Sequence, residues 1–268
     1  VTVTAPASRV VLPPERCIPD LQAILEHAIA NDERTLQTAL GPSELGVDCD
    51  RCLIHMLAGS AEDEGAPWLP TIGRAVHEWA EGVLLSHMAR TGTDRWLPEG
   101  RVAVGQLRGV DITGSSDVLD IHTGTVVDYK LTGTTTLKKV KAAKGHPGLT
   151  YARQANLYGR GWALAGYDVR SVAVWFLPRN GFRITDGALW QTPYDERLAV
   201  EALERANRFA SWIDDYGVDV VLAGAGPHTG REFSCERFDA RPKRDQLDGL
   251  IAPQTSGTRP GAGSTAVA

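Results

Sequence analysis

The chain has few cysteines, no long apolar run and no excess of positive charge. Four cysteines in 268 residues are too few for a small secreted scaffold held together by disulfides. Nothing approaches the roughly 20 consecutive apolar residues that cross a bilayer. No leading segment has the charged, apolar and small-residue order of a signal peptide, so a cytoplasmic protein without a membrane role is expected. With 28 Lys and Arg against 33 Asp and Glu the net charge is −5, which excludes a broadly basic nucleic-acid coat protein. The Gly-x-x-x-x-Gly-Lys-Ser/Thr phosphate loop of a helicase motor is missing, and so is any internal repeat. What is there, 43% hydrophobic and 23% charged residues, suits a globular chain of one large or two small domains that buries a real core.

Punctuation and periodicity give an element order. Residues 1–14, with Pro6, Pro13 and Pro14, read as extended. Residues 19–29 read as an amphipathic helix and residues 34–40 as a short one. Ser43 reads as the N-cap of a helix running through Cys49 and Cys52 to Leu57, stopped by Gly59. An acidic loop over 60–67 leads to a helix capped by Thr71 and ending near Arg90. Strands are expected at 101–105, 110–114, 117–121 and 125–131, then a Thr/Lys/Gly-rich loop over 132–148. A helix over 149–165, a strand over 169–177 with a hairpin partner at 182–192, and a long helix over 195–216 follow. Beyond residue 250 the Gly/Ser/Thr/Pro composition is that of a flexible tail. The expected domains are an extended arm over 1–18, one folded domain over 19–250 and a disordered tail over 251–268. The order of elements implies an α/β domain with helices flanking a central mixed sheet.

The most informative stretch is Asp117 to Lys130. Residues 117–121 and 125–131 are short and rich in β-branched residues, and the turn between them contains Gly124. Whether that loop holds two or three residues, Asp117 and Asp128 fall within one position of facing each other, and opposed Cα atoms lie about 4.5–5.5 Å apart. Asp128 and Lys130 project from the same face of their strand. Two carboxylates beside one ammonium are a minimal kit for a hard divalent cation and a phosphodiester. The ion takes oxygen ligands and neutralises charge, while the ammonium steadies phosphate oxygens.

Three further features cluster around this kit. On the expected helix over 71–90, His77 and Glu81 share one face with Glu78 adjacent. His77 suits a third ligand, and Glu78 or Glu81 an outer contact. A zinc-protease reading fails, because Glu81 stands where that motif needs a second histidine. Between Asp128 and Asp168 there is no acidic residue, while Lys130, Lys138, Lys139, Lys141, Lys144, Arg153 and Arg160 all fall there, a positive segment suited to a phosphate backbone. Tyr151, Gln154 and Tyr158 form a stripe on the helix over 149–165, and a buried amide at Gln154 needs polar partners.

In order along the chain, Gly73-Arg-Ala-Val-His77-Glu78, Gly114-Ser-Ser-Asp117, Val127-Asp128-Tyr129-Lys130 and Gln154-Ala-Asn-Leu-Tyr158 resemble the RecB-type branch of the PD-(D/E)XK nucleases, which includes phage exonucleases and CRISPR spacer-acquisition nucleases. The resemblance spans roughly residues 43–178. It implies a restriction-endonuclease-like core and a Mg2+- or Mn2+-dependent deoxyribonuclease of a bacterial or phage-infected cell. The ion would be held by His77, Asp117, Asp128 and the Tyr129 carbonyl, and catalysis carried by Asp117, Asp128 and Lys130. DNA would be bound by Gln154, Tyr158 and Tyr151 together with Lys138, Lys139, Lys141, Lys144 and Arg153. An exonuclease in phage-type recombination, replication or end processing is the leading expectation, with a recombination or single-strand-binding protein as a partner. A structure-specific endonuclease and a catalytically degenerate DNA-binding module are the alternatives. Serine replaces proline before Asp117, and the second acid is Asp, which shortens its reach.

Several relatives in this branch carry a four-cysteine iron–sulfur cluster, usually with one cysteine early and three late. Here Cys17, Cys49 and Cys52 come early and only Cys235 late. Placed within a helix, Cys49 and Cys52 have ordinary packing spacing. That favours free buried thiols or a zinc site, which His55 and His228 could complete, over an iron–sulfur cluster.

Overall fold

The computed structural model describes residues 16–30, 40–60, 68–230, 235 and 238. The expected arm before residue 16, the short helix over 34–40 and the acidic loop over 60–67 apart from residues 40 and 60, and the tail over 251–268 lie outside the described residues. Helices α1 (Cys17–Ala30), α2 (Pro42–Leu45), α3 (Asp50–Leu57) and α4 (Trp68–Thr91) precede strands β1 (Trp96–Leu107), β2 (Val110–Asp120) and β3 (Thr125–Thr132). Then come α5 (Thr134–Ala142), α6 (Leu149–Leu164), β4 (Ser171–Pro178), a 3-10 turn at Ile184–Asp186, β5 (Ala188–Pro193), α7 (Glu196–Tyr216) and α8 (Val218–Gly224).

The five strands form one sheet in chain order. β1–β2, β2–β3 and β4–β5 are antiparallel, whereas β3 and β4 run parallel over Thr125↔Ser171 to Thr132↔Pro178. A parallel pair needs a crossover connection, and α5 with α6 provides it. The fold is therefore α/β, a mixed sheet flanked by helices. Alternation along β3 sends Lys130 toward Tyr151 of α6 and Tyr129 toward His77 of α4, so helices cover both faces. Leu53, Ile54, Leu119, Val126, Leu157, Val172, Val174 and Phe176 make the driest part of the core.

Four local expectations are corrected. The helix through Cys49 is two helices: Gly46–Asp48 interrupt it, and Cys49 is the N-cap of α3. Buried Arg205 of α7 satisfies that link, donating to Asp50 Oδ1 and Val47 O at 2.6 Å each. The strands expected at 110–114 and 117–121 are one continuous strand that ends at Asp120, because Gly114 and Ser115 stay paired with Val102 and Arg101. The β2–β3 loop holds four residues, 121–124, closed by a Gly124 N–H bond to Asp120 O at 2.8 Å. The lysine-rich loop contains α5, anchored by buried Leu137 and Val140, a spacing of three that a helix turns to one side.

Helix α6 lies close to β1 because glycine leaves room. A methyl group at Gly161 would come within 2.5 Å of Val102 Cγ2. Glycine in a helix interior costs up to about 1 kcal/mol against alanine, but overpacking a close contact costs about 1–3 kcal/mol. Gly161→Ala should therefore lower the urea unfolding midpoint. Gly82→Ala, on α4 with nothing within 4 Å, should raise it. Equal shifts in the two variants would contradict this packing.

The β2–β3 turn is held by Asp120. Arg95 Nε and Nη2 donate to its two oxygens at 2.9 and 2.6 Å, and the Thr123 hydroxyl and the His122 N–H add 2.8 and 3.1 Å bonds. Burial pushes this carboxyl up, but Arg95, Thr123 and the backbone donors outweigh it and hold it at about 2. A folded-state value below the unfolded one, about 3.9, stabilises above that pH and is lost as pH falls toward 2. Asp120→Asn should therefore be less stable than wild type at neutral pH. The gap, read by denaturant unfolding, should close between about pH 4 and pH 2.

Candidate active site

β2 and β3 pair only through Val118↔Val127, Leu119↔Val126 and Asp120↔Thr125. One further step in this register sets Asp117 opposite Asp128, but the ladder stops there. The Tyr129 N–H donates instead to Asp117 Oδ2. A side-chain carboxylate has taken the place of a strand carbonyl, so β2 and β3 continue past this point without pairing to each other.

A third acid joins from the other side. β1 pairs with β2 through Pro98↔Val118 and Gly100↔Ser116, which leaves Glu99 opposite Asp117. The register depends on a bulge between Ala103 and Gly105. Without that extra residue Gly100 would take Glu99's place, since one step of slip reverses the faces of a strand. Glu99 has φ +47°, a left-handed conformation that costs a residue with a side chain about 1–3 kcal/mol. Glu99, Asp117 and Asp128 thus stand at one level on three neighbouring strands.

His77 approaches from α4. Its Nδ1 lies 3.2 Å from Asp117 Oδ1 and 3.7 Å from Glu99 Oε1. The donor atoms of His77, Glu99 and Asp117 all fall within 4.8 Å of one another, close enough for one cation. Hydrogen bonds to Asp117 and then Glu99 overcome burial and hold the His77 imidazole up at about 10. Its proton supplies positive charge beside the two carboxylates.

Asp128 is not within that tight set, although it feels the charges of Asp117 and His77. It is 2% exposed and faces Lys130, whose Nζ lies 3.0 Å from Oδ1 and 2.8 Å from Oδ2. Only the Oδ1 contact has hydrogen-bond geometry. Oδ2 is buried and accepts no hydrogen bond, an arrangement that suits a cation. Burial pushes the Asp128 carboxyl up and Asp117 adds to the push, against the pull of Lys130. For Lys130 burial acts downward, but Asp128 and Asp117 more than offset it and the ammonium keeps its proton.

Helix α6 lies against this group of side chains. The Tyr151 ring centroid lies 5.2 Å from Lys130 Nζ, a cation–π distance. Gln154, 5% exposed, hydrogen-bonds the Tyr158 hydroxyl. Burial and the negative charge of Asp128 push that phenol upward, so it stays neutral and able to donate.

Other sequence-predicted residues lie elsewhere. Lys138, Lys139 and Lys144 are exposed on or just after α5, while Lys141 Nζ donates to Asp186 O at 2.6 Å. Arg153 turns to the α2–α3 link, with Nη1 3.3 Å from Asp48 Oδ1. That contact ties it to the scaffold. Tyr129 stands edge-on to His77 and Trp175, at 6.0 and 5.9 Å between ring centroids. Glu78 is exposed, and Glu99 occupies the place beside His77 expected for Glu78 or Glu81. Cys17 is exposed on α1, whereas Cys49, Cys52 and Cys235 are buried in a second group.

No family model matches the sequence, and no curated protein matches it. Some solved structures are similar to it at low identity. The crystal structure of SSO0001 is 16% identical, with a TM-score of 0.45 over 77% of this chain and 96% of that one. An alkaline exonuclease (LHK-Exo) from Laribacter hongkongensis is 12% identical, with a TM-score of 0.44 over 70% of this chain and 93% of that one. Its complex with dAMP gives 13% and 0.43 over the same shares. Among the described residues no helix is long and apolar enough to cross a membrane.

The row of acids makes a prediction about Glu99, which no sequence motif marks. Glu99→Gln should weaken Mn2+ binding, measured by calorimetry, by about tenfold or more. Glu78→Gln should bind as wild type. The reverse ranking would remove Glu99 from the cation site.

Proposed function

We propose that the chain is a divalent-metal-dependent deoxyribonuclease of the RecB-type PD-(D/E)XK kind, with residues 19–250 as its catalytic domain. One observation carries this reading: Glu99 and Asp117 of two adjacent strands meet His77 on one side, with the buried Asp128–Lys130 pair of the third strand on the other. The donor set fits Mg2+ or Mn2+, since Glu99, Asp117 and Asp128 Oδ2 offer the oxygens that hard cations take, and an imidazole is well tolerated by Mn2+. A cation bound there would supply Lewis acidity and neutralise charge at the phosphodiester.

The chain's own groups do the rest. Lys130 is held by Asp128 and by the Tyr151 ring, so its ammonium is aimed before substrate arrives. It donates to the attacking water or to a phosphate oxygen as charge builds there, and a preorganised donor of this kind contributes about a hundredfold or more. As a ligand His77 would be neutral, its proton released to solvent. Tyr158 and Gln154 offer hydrogen-bonding groups on the α6 side. Exposed Lys138, Lys139 and Lys144 give the DNA backbone a basic approach to β3. Exonucleolytic end processing, as in phage-type recombination, is the specific role we infer.

The test is cleavage of end-labelled linear DNA beside covalently closed DNA, with and without Mn2+. Wild type should degrade the linear form only, and only with metal. Asp128→Ala and Lys130→Ala should each lose about a hundredfold or more of that activity while keeping a native circular dichroism spectrum. Cutting of closed circles would move the assignment to an endonuclease. Binding of DNA without cleavage in any metal would leave a binding module. Undiminished cleavage by Asp128→Ala would remove the site altogether.

A further inference from the structure

A second group of metal-ligating side chains lies outside the acid row. Cys49 caps α3 and Cys52 sits in its first turn, so a Cys-x-x-Cys spacing puts both sulfurs at one helix end. His228 lies after α8 and Cys235 seven residues later, yet both return to that end. His228 Nδ1 is 3.5 Å from Cys49 Sγ and 3.2 Å from Cys52 Sγ, and Cys52 Sγ is 3.5 Å from Cys235 Sγ. All four donor atoms lie within 4.8 Å of one another, although some 180 residues separate the two halves of the group. The three sulfurs belong to buried residues, 0–4% exposed.

We infer that Cys49, Cys52, His228 and Cys235 form a closed, structural zinc site. Four ligands at about 2.0–2.3 Å around tetrahedral zinc stand about 3.5–3.8 Å apart, close to the 3.2–3.5 Å of these sulfur and nitrogen contacts. A cubic iron–sulfur cluster binds each ligand to a different iron at a separate corner, and so holds them farther apart than this group allows. A disulfide brings its sulfurs to about 2.05 Å and leaves the histidine without a role. Two supports fix the donors. Arg205 anchors the link that ends at Cys49, and the His55 ring lies parallel to His228 and to Phe238, at 6.1 and 4.9 Å between centroids. The ion would fasten the chain beyond α8 onto α3, closing a loop from residue 52 to residue 228 around the whole sheet.

The test is the metal content of the untagged full-length chain, purified under reducing conditions, together with its cobalt-substituted spectrum. Wild type and Cys17→Ser should carry about one zinc per chain. Cys235→Ser and His228→Ala should lose most of it, and stripping the ion should lower the melting temperature. Because those variants could fail to fold, the deciding readout is Co2+ added to metal-stripped wild type. Intense thiolate-to-cobalt absorption supports the site, since the acid row has no sulfur to produce it. Iron with acid-labile sulfide in place of zinc would overturn the inference, as would four freely reactive thiols with no Co2+–sulfur absorption. Neither readout involves DNA cleavage, so this site and the nuclease reading stand or fall separately.

Discussion

The Asp117 carboxylate is the constraint on which the rest of the site depends. It accepts the Tyr129 N–H where a strand carbonyl would otherwise stand, and its other oxygen faces His77. One side chain therefore ends the β2–β3 ladder, fixes the level of β3 and sets the distance of α4. It also creates the electrostatic problem that the site resolves. Three carboxylates gathered where little water enters repel one another, and each buried charge costs several kcal/mol unless it is paired. Without metal the pairing comes from the His77 proton and the Lys130 ammonium. A divalent cation would do the same with more charge in a smaller volume.

The scaffold makes that gathering rigid. α6 reaches the sheet because glycine lies at its tightest approach to β1, which brings Tyr151 over Lys130. Buried Asn156 of α6 donates to Ala152 O and accepts from the Asp195 N–H, at 2.8 Å each. The N-cap of α7 is thereby tied to the helix that closes the site. α7 in turn carries Arg205, whose guanidinium holds the α2–α3 link and with it the cysteine-bearing end of α3. The acid row and the thiol group are thus mounted on one connected frame, though they are chemically independent.

Much of this was legible from residue order. Period-two alternation and the glycine turn predict that Asp117 faces Asp128, and helical spacing predicts that Tyr151, Gln154 and Tyr158 share a side. The sheet and its flanking helices follow from the order of patterns. What was hidden has physical reasons. Glu99 sits between Pro98 and Gly100, residues that argue against a strand. β1 tolerates the proline because it is an edge strand, and the bulge that sets Glu99 opposite Asp117 leaves no mark in local composition. α5 opens with three threonines, poor helix formers, and exists because Leu137 and Val140 bury one side. Cys49 read as a packed helical residue because the break at Gly46–Asp48 is enforced by Arg205, far away in sequence. Arg153 belongs to the positive segment expected to bind DNA; only the fold reveals the Asp48 carboxylate beside it.

Diffraction from Mn2+-soaked crystals at the manganese absorption edge tests the central claim most directly, because it locates the cation without reference to activity. The account predicts one peak that appears above the manganese edge and is lost below it, bounded by His77, Glu99 and Asp117, with the Asp128 carboxylate turned toward it. A peak elsewhere on the chain, or none at this place while the four side chains keep their metal-free contacts, would contradict it.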